Sequence, residues 1–474
     1  MKIQFDDKSF TARELAQMVS GSLHIEELGG ITVKGLCTDS READADTAFV
    51  AMRGERVNGH DYMEHALANG CRCFICERNI QPVADANAAA VVVGDSEMAL
   101  SRLAYAYRRA ELSCKTVAVT GSVGKTTAKE MIYAVLSRAK KTHKSAGNHN
   151  SVVGMPLSVM ETPHETEVSV LEMGMSSFGE IERMSITAQP DIAVITNIGS
   201  SHMEMLGSRE NICRAKLEIL SGLADGGTLI LNGDEPLLSN IGGKSYQTLY
   251  VSLTRQNADF FAQNIRIDTE STQFDVVWRG GVCRDLKIGV MGRHNVYAAL
   301  YAFAVGACMG LDTEIIRAGL LDFEAEGMRQ NRYAVKDITV IEDCYNASPE
   351  SMIAALDVLA LCASQTGGRS IAVLGDMLEL GEGSSAAHRK VGAHLAACGI
   401  DAMIAVGHEG LQIAAGAMQG GMSMQDMVRE SDRDAIERIG EALIGCLQSG
   451  DTVLFKASRS VRLERVIEYL KEHY

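Results

Sequence analysis

The length and composition of the chain indicate a globular protein of several domains. A chain of 474 residues is longer than one hydrophobic core usually supports, so we expect roughly two to four domains. Hydrophobic residues make up 46% of the chain and charged residues 22%, as in ordinary globular proteins. The net charge is −16 and no run of lysine or arginine stands out, which argues against nucleic acid as the main partner.

The sequence also lacks the signals of secretion and membrane insertion. Met1 to Phe10 has no apolar centre, and no apolar stretch reaches the roughly 18–20 residues of a spanning helix. Twelve cysteines are scattered along the chain, and the closest set, Cys71, Cys73 and Cys76, lacks partners at zinc-binding or disulfide spacing. We therefore expect reduced thiols and a cytoplasmic protein.

The N-terminal region, from Met1 to about Arg109, alternates short strands with helices, two of them predicted over 12–18 and 62–68. It contains the turn Thr38-Asp39-Ser40-Arg41 and then the segment Gly54-Glu55-Arg56-Val57-Asn58-Gly59-His60. Such a turn alone is most often a hydrogen-bonded loop. Hydroxyls, an arginine and glycine amides could also hold a diphosphate together, so both interpretations stay open.

A phosphate-binding loop is predicted over 118–127, Ala-Val-Thr-Gly-Ser-Val-Gly-Lys-Thr-Thr, between a buried strand near Val117 and a helix over 128–139. Backbone N–H groups at such a helix start converge on an anion, Lys125 adds positive charge, and the Thr126 hydroxyl suits a nucleotide-bound Mg²⁺. Val119 stands where the full pattern has a glycine, so a glycine-rich turn of any α/β protein is the alternative. The residues predicted to bind the triphosphate are Gly121, Ser122, Val123, Gly124, Lys125, Thr126 and Thr127.

Further apolar runs in the middle region, about 110–323, predict parallel strands over 168–171, 192–195 and 229–231. Ligands of open α/β sheets bind beyond the carboxyl ends of the strands. We therefore expect the polar residues that follow these strands to converge beside the triphosphate, although any one acid there is equally well a helix cap. These residues are Glu172, Asn197, His202, Asn232 and Asp234.

Lys216 lies on the apolar stripe of a helix predicted from Ser208 through Leu223, four residues after Ile212 and three before Ile219. A buried ammonium is costly unless it is paired or neutralised. Spacing alone favours a lysine that reaches out of the core or pairs with an acid. The alternative is a functional lysine that faces a metal site.

The last region, about 324–474, repeats the pattern without phosphate-binding glycines. Strands are predicted over 338–341, 371–374, 403–406 and 453–455, and Asp343, Asp376 and Lys456 lie at or just past strand ends. A helix over 352–361 follows Ser348-Pro349, where proline suits the first turn. We expect this lobe to accept a small polar substrate and to close over the nucleotide.

Taken together and in order, these motifs resemble those of the Mur ligases, which build the peptide of bacterial peptidoglycan. The resemblance covers nearly the whole chain and rests on the segments 120–127, 147–157, 172–176, 179–181, 196–204, 215–220, 292–296, 343–349, 375–381 and 456–459. It implies an α/β protein with a small UDP-sugar-binding domain over 1–109, a central P-loop ATPase-like parallel sheet over 110–323, and a Rossmann-like domain over 324–474 that binds the incoming dipeptide.

The resemblance also implies a reaction. Gly-Asn at 147–148, Glu-Met-Gly-Met-Ser at 172–176, Tyr-Asn-Ala at 345–347 and Gly-Asp-Met-Leu-Glu-Leu-Gly at 375–381 are similar to members that add D-alanyl-D-alanine, whereas diamino-acid-adding members usually carry Thr-Thr-Pro at the first of these. The implied chemistry joins UDP-N-acetylmuramoyl-tripeptide to D-alanyl-D-alanine through an acyl phosphate made from ATP. Two Mg²⁺ ions, an N6-carboxylysine at Lys216 and a monomer are expected with it.

By the same resemblance, site roles pass to matching positions of this chain. The implied catalytic residues are Lys125, Glu172, His202 and Lys216, and the implied metal ligands are Thr126, Glu172, His202 and the carbamylated Lys216. Further nucleotide contacts fall on Asn295, Arg329, Asp343 and Tyr345. The implied substrate contacts are Ser40, Arg41, Asn58, Asn148, Asn150, Lys456 and Arg459.

Three positions depart from the family pattern: Ser151 and Ala298 replace asparagines, and Ala457 replaces a glycine. Competing interpretations within the enzyme class are the tripeptide synthetase and a folylpolyglutamate-type ligase, which use the same acyl-phosphate chemistry. From another class, a nucleotide-gated binding protein with slow ATP hydrolysis also accounts for the phosphate-binding loop.

Overall fold

The computed structural model describes residues 1–54, 57–77, 83, 86–243, 245–325 and 327–474. Glu55 and Arg56, in the segment that follows the Thr-Asp-Ser-Arg turn, lie outside the described residues. Three large β-sheets follow one another along the chain, and helices cover them. None of the helices in the described part of the chain is long and apolar enough to cross a membrane.

The N-terminal sheet has six strands in the order β1-β5-β6-β7-β8-β3, and strands β5 to β8 are parallel. Strands β2 and β4 form a separate two-stranded ribbon. The strands are β1 (Lys2–Gln4), β2 (Phe10–Thr11), β3 (Ser22–Leu23), β4 (Thr32–Val33), β5 (Gly35–Cys37), β6 (Thr47–Val50), β7 (Cys73–Cys76) and β8 (Ala89–Val92). The helices are α1 (Ala12–Val19), α2 (Met63–Ala68) and α3 (Ser96–Glu111).

The central sheet has nine strands in the order β10-β11-β9-β12-β13-β14-β15-β16-β17. The first seven are parallel neighbours, and the pairings of β15 with β16 and of β16 with β17 are antiparallel. The strands are β9 (Lys115–Thr120), β10 (Thr142–Lys144), β11 (Val168–Glu172), β12 (Ile192–Ile195), β13 (Thr228–Asn232), β14 (Gln247–Ser252), β15 (Phe260–Ile267), β16 (Thr272–Trp278) and β17 (Gly281–Ile288). The helices are α4 (Lys125–Leu136), α5 (Gly154–Met160), α6 (Glu180–Ala188), α7 (Met203–Leu206), α8 (Arg209–Leu217), α9 (Arg293–Cys308) and α10 (Thr313–Leu321).

The C-terminal sheet has six strands in the order β18-β19-β23-β20-β21-β22, and only the pairing of β18 with β19 is antiparallel among those described. The strands are β18 (Asn331–Val335), β19 (Ile338–Glu342), β20 (Ser370–Gly375), β21 (Ala402–Val406), β22 (Met427–Glu430) and β23 (Thr452–Lys456). The helices are α11 (Pro349–Thr366), α12 (Ser384–Ala397), α13 (Gly410–Gln419), α14 (Ile436–Cys446) and α15 (Glu464–His473).

Helices cover both faces of the central sheet, which explains why its parallel strands are continuous apolar runs. Helices α4, α9 and α10 pack on one face, and α3, α5 and α6 pack on the other. The carboxyl ends of β9, β11, β12 and β13 therefore remain the free edge where side chains can meet a ligand.

The strands predicted over 168–171, 192–195 and 229–231 are present, but two predicted helices have different bounds in the structure. The helix predicted over 128–139 begins at Lys125 and ends at Leu136. The helix predicted from Ser208 through Leu223 is α-helical only to Leu217 and continues as a 3₁₀ turn over Glu218–Gly222. Apolar spacing cannot distinguish the last turn of an α-helix from a 3₁₀ turn, because a 3₁₀ turn also buries residues three apart.

A close contact between helices α12 and α13 yields a stability prediction. A Cβ on Gly392 would lie 1.9 Å from the Ile413 carbonyl oxygen, so Gly392→Ala forces the two backbones apart. We expect a loss of about 1–3 kcal/mol in the free energy of unfolding.

The matched control is Gly445→Ala in helix α14, where an added Cβ meets nothing within 4 Å. That change is expected to stabilise by about 0.5–1 kcal/mol. Urea unfolding of both variants measures the difference, and equal midpoints would contradict the packing argument.

Candidate active site

A cavity of about 500 Å³ lies between the central and C-terminal domains. The central domain contributes the phosphate-binding loop, the ends of β11 and β13, and the first two turns of α9. The C-terminal domain contributes the segment before β18, the end of β19 and the start of α11. Because two domains supply the walls, the size of this cavity depends on how closely they approach each other.

The phosphate-binding loop is held by the neighbouring strand β12. The Val123 N–H donates to the Asn197 side-chain oxygen at 2.9 Å, and Thr196 Oγ1 donates to the Val123 carbonyl at 2.6 Å. A Cβ on Gly121 would lie 1.8 Å from Thr196 Oγ1, so only glycine fits there. Gly124 has a φ of +81° and begins helix α4. Glycine is therefore needed at positions 121 and 124. Val119, which stands where the full motif has a third glycine, is a buried residue within β9.

Lys125 and the first turn of α4 present positive charge to the cavity. The Lys125 ammonium lies 2.9 Å from the Gly121 carbonyl oxygen. Burial lowers its pKa, the nearby Arg329 guanidinium lowers it further, and Glu172 acts in the opposite direction. The helix N-terminus adds backbone N–H groups from Lys125, Thr126 and Thr127, which line the same cavity. This arrangement suits the phosphates of a nucleotide.

Glu172, the last residue of β11, is 2% exposed and receives two hydrogen bonds at the cavity wall. Thr126 Oγ1 donates to Oε2 at 2.9 Å, and Asn150 Nδ2 donates to Oε1 at 2.7 Å. Three residues predicted separately from the sequence are thus in direct contact. Their oxygens form the hard donor set that Mg²⁺ prefers, so the residues present fit that ion.

Lys129 is a functional-site residue that the sequence analysis missed. It is fully buried, its ammonium donates to the Ser145 carbonyl at 2.9 Å, pairs with Glu130 Oε1 at 3.0 Å, and lies 4.0 Å from Glu172 Oε2. Lys129 therefore ties helix α4 to the segment that carries Asn148 and Asn150. The signal was available, because Lys129 lies three residues before Ile132 on a buried helix face, as Lys216 does relative to Ile219.

His202 stands on the cavity wall and contacts the C-terminal domain. Its Nδ1 lies 2.6 Å from Glu379 Oε2, and the Glu204 N–H donates to the Glu379 carbonyl at 3.1 Å. The hydrogen bond with His202 lowers the pKa of Glu379. Glu379 was not predicted from the sequence, although it lies within the segment 375–381. The contact fixes one ring nitrogen of His202 and leaves Nε2 available to a ligand.

Lys216 is 2% exposed on helix α8, and no hydrogen bond or ion pair within the described part of the chain engages its ammonium. Burial lowers its pKa well below the usual value, and the charge of Lys125 acts in the same direction. The interpretation that Lys216 reaches out of the core or pairs with an acid is therefore wrong. Lys216 is close enough to sense Lys125 but is not among the residues that line the cavity.

Two contacts at the C-terminal wall join predicted residues, and a third joins predicted Asn295 to Gln330, which was not predicted. Lys456 Nζ pairs with Asp343 Oδ2 at 2.7 Å, and both residues are buried. The Arg329 guanidinium lies 4.0 Å from the centre of the Tyr345 ring. Asn295 Nδ2 donates to the Gln330 side chain at 3.0 Å, which joins helix α9 to the C-terminal domain. All of these residues line the cavity.

The remaining predicted residues do not line this cavity. Ser40 Oγ lies 3.0 Å from His65 Nδ1, Arg41 pairs with Asp39 on the surface, and Asn58 Oδ1 accepts from the His60 N–H. Asn148 is exposed, and Arg459 pairs with Glu464 at 3.0 Å.

The expectation that Asp234 would join the converging side chains is wrong. Its carboxylate accepts from Ser252 Oγ at 2.6 Å, from the Leu253 N–H at 2.7 Å and from the Tyr297 hydroxyl at 2.8 Å. These bonds turn it toward β14 and α9, where it closes a turn.

The three departures from the family pattern are accommodated locally. Ser151 Oγ accepts from the Gly154 N–H at 3.1 Å, at the start of helix α5. Ala298 is buried and lines the cavity beside Asn295. Ala457 is fully buried, and its Cβ would lie 2.8 Å from a Cβ on Gly375. None of these substitutions alters the contacts of Lys125 or Glu172.

The fold and this cleft define a phosphate-binding-loop α/β protein in which a second lobe faces the nucleotide site. Three protein-family models match this sequence and together cover most of the chain. They are described as "Mur ligase family, catalytic domain" over 32–108, "Mur ligase middle domain" over 119–306, and "Mur ligase, glutamate ligase domain" over 328–459.

Known proteins match over the whole length. The UDP-N-acetylmuramoyl-tripeptide–D-alanyl-D-alanine ligase of Bacillus subtilis is 39% identical over 98% of both chains. A MurF crystal structure from Acinetobacter baumannii superposes with a TM-score of 0.89 at 32% identity, covering 98% of this chain and 99% of that one. MurF of Thermotoga maritima in complex with ADP gives 0.81 at 30% identity, covering 92% and 97%. The chain belongs to the Mur ligase family and has its three-domain α/β fold.

The burial of Lys129 yields a prediction about stability and activity. Lys129→Met keeps the length of the side chain but removes the partner of Glu130 Oε1 and of the Ser145 carbonyl, while Lys144 stays paired with Glu130 Oε2. A buried polar group left without its partner costs about 1–3 kcal/mol, so we expect a loss of that size in the free energy of unfolding, together with reduced ligase turnover. Lys141→Met, which removes the surface partner of Glu165, is the matched control and is expected to change neither. Urea unfolding and a turnover assay on both variants check this, and a stable, active Lys129→Met would contradict it.

His388 makes the segment that carries Glu379 sensitive to acid. The Met377 N–H donates to His388 Nε2 at 2.9 Å, and Nδ1 donates to the Ser384 carbonyl at 2.8 Å, so the bonded ring is neutral. Burial lowers its pKa from 6.5. The unfolded chain therefore binds the proton more readily, and stability is lost as the pH falls through about 6.5.

We expect the melting temperature of the wild type to fall between about pH 7 and pH 5.5, and to fall less in His388→Gln. His408→Gln, at a ring that is 88% exposed, is the control and keeps the wild-type slope. Identical slopes in all three proteins would show that His388 does not titrate on unfolding.

Proposed function

We propose that this protein joins the free carboxylate of UDP-N-acetylmuramoyl-tripeptide to the amine of D-alanyl-D-alanine, with cleavage of ATP to ADP and phosphate. The product is the UDP-linked pentapeptide precursor of peptidoglycan, and the step is the last of its synthesis in the cytoplasm. The 39% identical relative in Bacillus subtilis carries the name of this reaction. The observation that carries the proposal is the convergence of Thr126, Asn150 and Glu172 beside Lys125.

The side chains of the cleft match what the reaction needs. A carboxylate is a poor electrophile, so the terminal phosphoryl group of ATP is first transferred to it and ADP leaves. Lys125 and the N-terminus of α4 hold the phosphates, while Arg329 and Lys456 bring positive charge from the other wall. Placing cations around several negative groups accounts for most of the catalysis in phosphoryl transfer.

The second half of the reaction forms the amide bond. The dipeptide amine attacks the acyl carbon, and the tetrahedral intermediate collapses with loss of phosphate. Water must be kept from the acyl phosphate meanwhile, and the contacts His202–Glu379 and Ser200–Glu350 hold the two lobes together over the site. We assign nucleotide contacts to Asn295 of the central domain and to Asp343 and Tyr345 of the C-terminal domain, since all three line the cavity.

Two Mg²⁺ ions belong to this proposal. Thr126 and Glu172 would hold one, and Glu172, His202 and a carbamylated Lys216 would hold the other; the ions neutralise the phosphate charge. Carbamylation requires an uncharged amine, and the burial of Lys216 beside Lys125 favours that form. A carbamate would turn this buried amine into an oxygen donor.

The carbamate has its own test. Intact-protein mass spectrometry in bicarbonate is expected to show one added CO₂ on the wild type and none on Lys216→Ala. Lys216→Ala is expected to lose turnover and to regain part of it with short carboxylic acids, which can occupy the vacated volume. If the wild type shows no added CO₂ and Lys216→Ala keeps the wild-type turnover, Lys216 is not part of the site.

The domain roles complete the proposal. We assign the UDP-sugar to residues 1–109 with Ser40, Arg41 and Asn58, the ATP site to 110–323, and the dipeptide to 324–474 with Lys456 and Arg459. Asn148 and Asn150 would face the tripeptide. We further propose that the protein acts as a monomer.

An assay of phosphate release with a panel of substrates decides among the candidate reactions. With UDP-N-acetylmuramoyl-tripeptide, ATP and Mg²⁺, we expect phosphate release on adding D-alanyl-D-alanine and none with a diamino acid or glutamate.

Lys125→Met is expected to lower turnover by about 100- to 1,000-fold because it removes a charge aimed at the transferring phosphoryl group, whereas Lys141→Met is expected to match the wild type. Release with a diamino acid on the UDP-dipeptide would favour the tripeptide synthetase, and release with glutamate on a folate would favour the folylpolyglutamate-type ligase. ATP binding without product from any of them would favour a nucleotide-gated binding protein.

A further inference from the structure

Three potential metal ligands converge on the C-terminal domain, outside the cleft. Asp357 lies on helix α11, and His394 and Cys398 lie one helical turn apart at the end of α12. His394 Nε2 is 2.7 Å from Asp357 Oδ1 and 3.3 Å from Cys398 Sγ, and Sγ is 3.6 Å from Asp357 Oδ1. Among the described residues, this is the group of His, Cys, Asp and Glu side chains whose ligand atoms all lie within 4.8 Å of one another.

The geometry is that of a chelate rather than that of a nucleophile and its base. In a catalytic relay the nucleophile and the acid contact different nitrogens of the imidazole. Here Asp357 and Cys398 both approach Nε2 of His394, so the ring cannot pass a proton from one to the other. The three donor atoms, one from each side chain, instead lie around a common point, as ligands on one face of a metal's coordination polyhedron do.

The distances are close to those of a tetrahedral zinc site. With Zn–S of about 2.3 Å and Zn–N and Zn–O of about 2.0–2.2 Å, tetrahedral ligands lie about 3.4–3.6 Å apart. The two sulfur distances, 3.3 and 3.6 Å, are already near this range. Only the separation of His394 Nε2 from Asp357 Oδ1 has to widen, by about 0.7 Å, and both side chains are partly exposed and free to rotate that far.

We propose that Asp357, His394 and Cys398 form a zinc-binding site that links helix α11 to helix α12. On binding, the Cys398 thiol releases its proton to solvent and the thiolate forms the Zn–S bond, while Asp357 and neutral His394 supply oxygen and nitrogen. Thiolate and carboxylate together balance the charge of the ion, and water fills the fourth position. A sulfur, nitrogen and oxygen donor set selects zinc-like ions over Mg²⁺, so the site is chemically distinct from the oxygen-lined cleft.

The site acts on the fold rather than on the reaction. None of the three residues lines the active-site cavity. Asp357 and His394 are 37 residues apart in sequence, so a bound ion closes a long loop within the folded domain. An ion that binds the folded chain and not the unfolded one raises the melting temperature.

Titration of the purified full-length protein with Co²⁺ tests the site, because cobalt substitutes for zinc and a cobalt–thiolate bond absorbs in the near ultraviolet. We expect this band to saturate at one equivalent, to disappear when Zn²⁺ is added, and to be absent in Cys398→Ser. Cobalt bound in the cleft gives no such band, since the described residues that line that cavity include no cysteine. The matched control is Cys308→Ser, at an exposed cysteine on helix α9, which is expected to keep the band.

Further variants separate a metal site from a plain interhelical ion pair. His394→Gln and Asp357→Asn are expected to weaken Co²⁺ binding by more than about 100-fold, because loss of an outer-shell partner alone costs 10- to 100-fold. His408→Gln, at an exposed histidine of the same domain, is expected to bind as the wild type does. The proposal is overturned if the wild type shows no thiolate band, if Cys398→Ser keeps it, or if Zn²⁺ leaves the melting temperatures of the wild type and Cys398→Ser equally unchanged.

Discussion

A single buried carboxylate organises the active site. Glu172 ends the strand β11 next to the phosphate-binding loop, where water cannot solvate its charge. A charge in that position is tolerable only when it is hydrogen-bonded and compensated, which explains why Thr126, Asn150 and Lys129 all approach it. Those three residues come from the helix after the loop and from the segment before α5. The contacts of one side chain therefore tie helix α4 to the segment before α5 at the wall of the cleft.

The C-terminal domain contacts the mouth of the central sheet at three places. Glu379 reaches His202 from the C-terminal domain, and Glu350 at the start of α11 accepts from Ser200. Asn295 and Gln330 make a third link. Each contact joins a residue at the mouth of the central sheet to the C-terminal domain, so both domains shape this cavity.

Much of the fold could be predicted from the sequence because buried parallel strands are continuous apolar runs. The strand Ile192–Ile195 was placed correctly to the residue, and the strands at 168, 229, 338, 371, 403 and 453 were placed within one residue at each end. Helix ends were less certain: the predicted helix through Leu223 changes to a 3₁₀ turn at Glu218. The candidate site was predicted in part for the same reason. Residues that follow strands meet at one edge of the sheet, but Asp234 obeys the pattern and still turns away to close a local turn.

The sequence by itself determined the phosphate-binding loop, the order of strands and helices, and the family, because these depend on local pattern and on motifs in fixed order. Only the tertiary structure decided which charged groups meet. Lys129 and Lys216 occupy similar positions on apolar helix faces, yet Lys129 is bonded to Glu130 and the Ser145 carbonyl, whereas Lys216 is buried without such a partner in the described structure. Likewise, the pairing of Glu379 with His202 and the meeting of Asp357 with His394 join residues far apart in sequence. Long-range electrostatic contacts of this kind depend on how helices and domains pack, and the periodicity of a single segment carries no information about that packing.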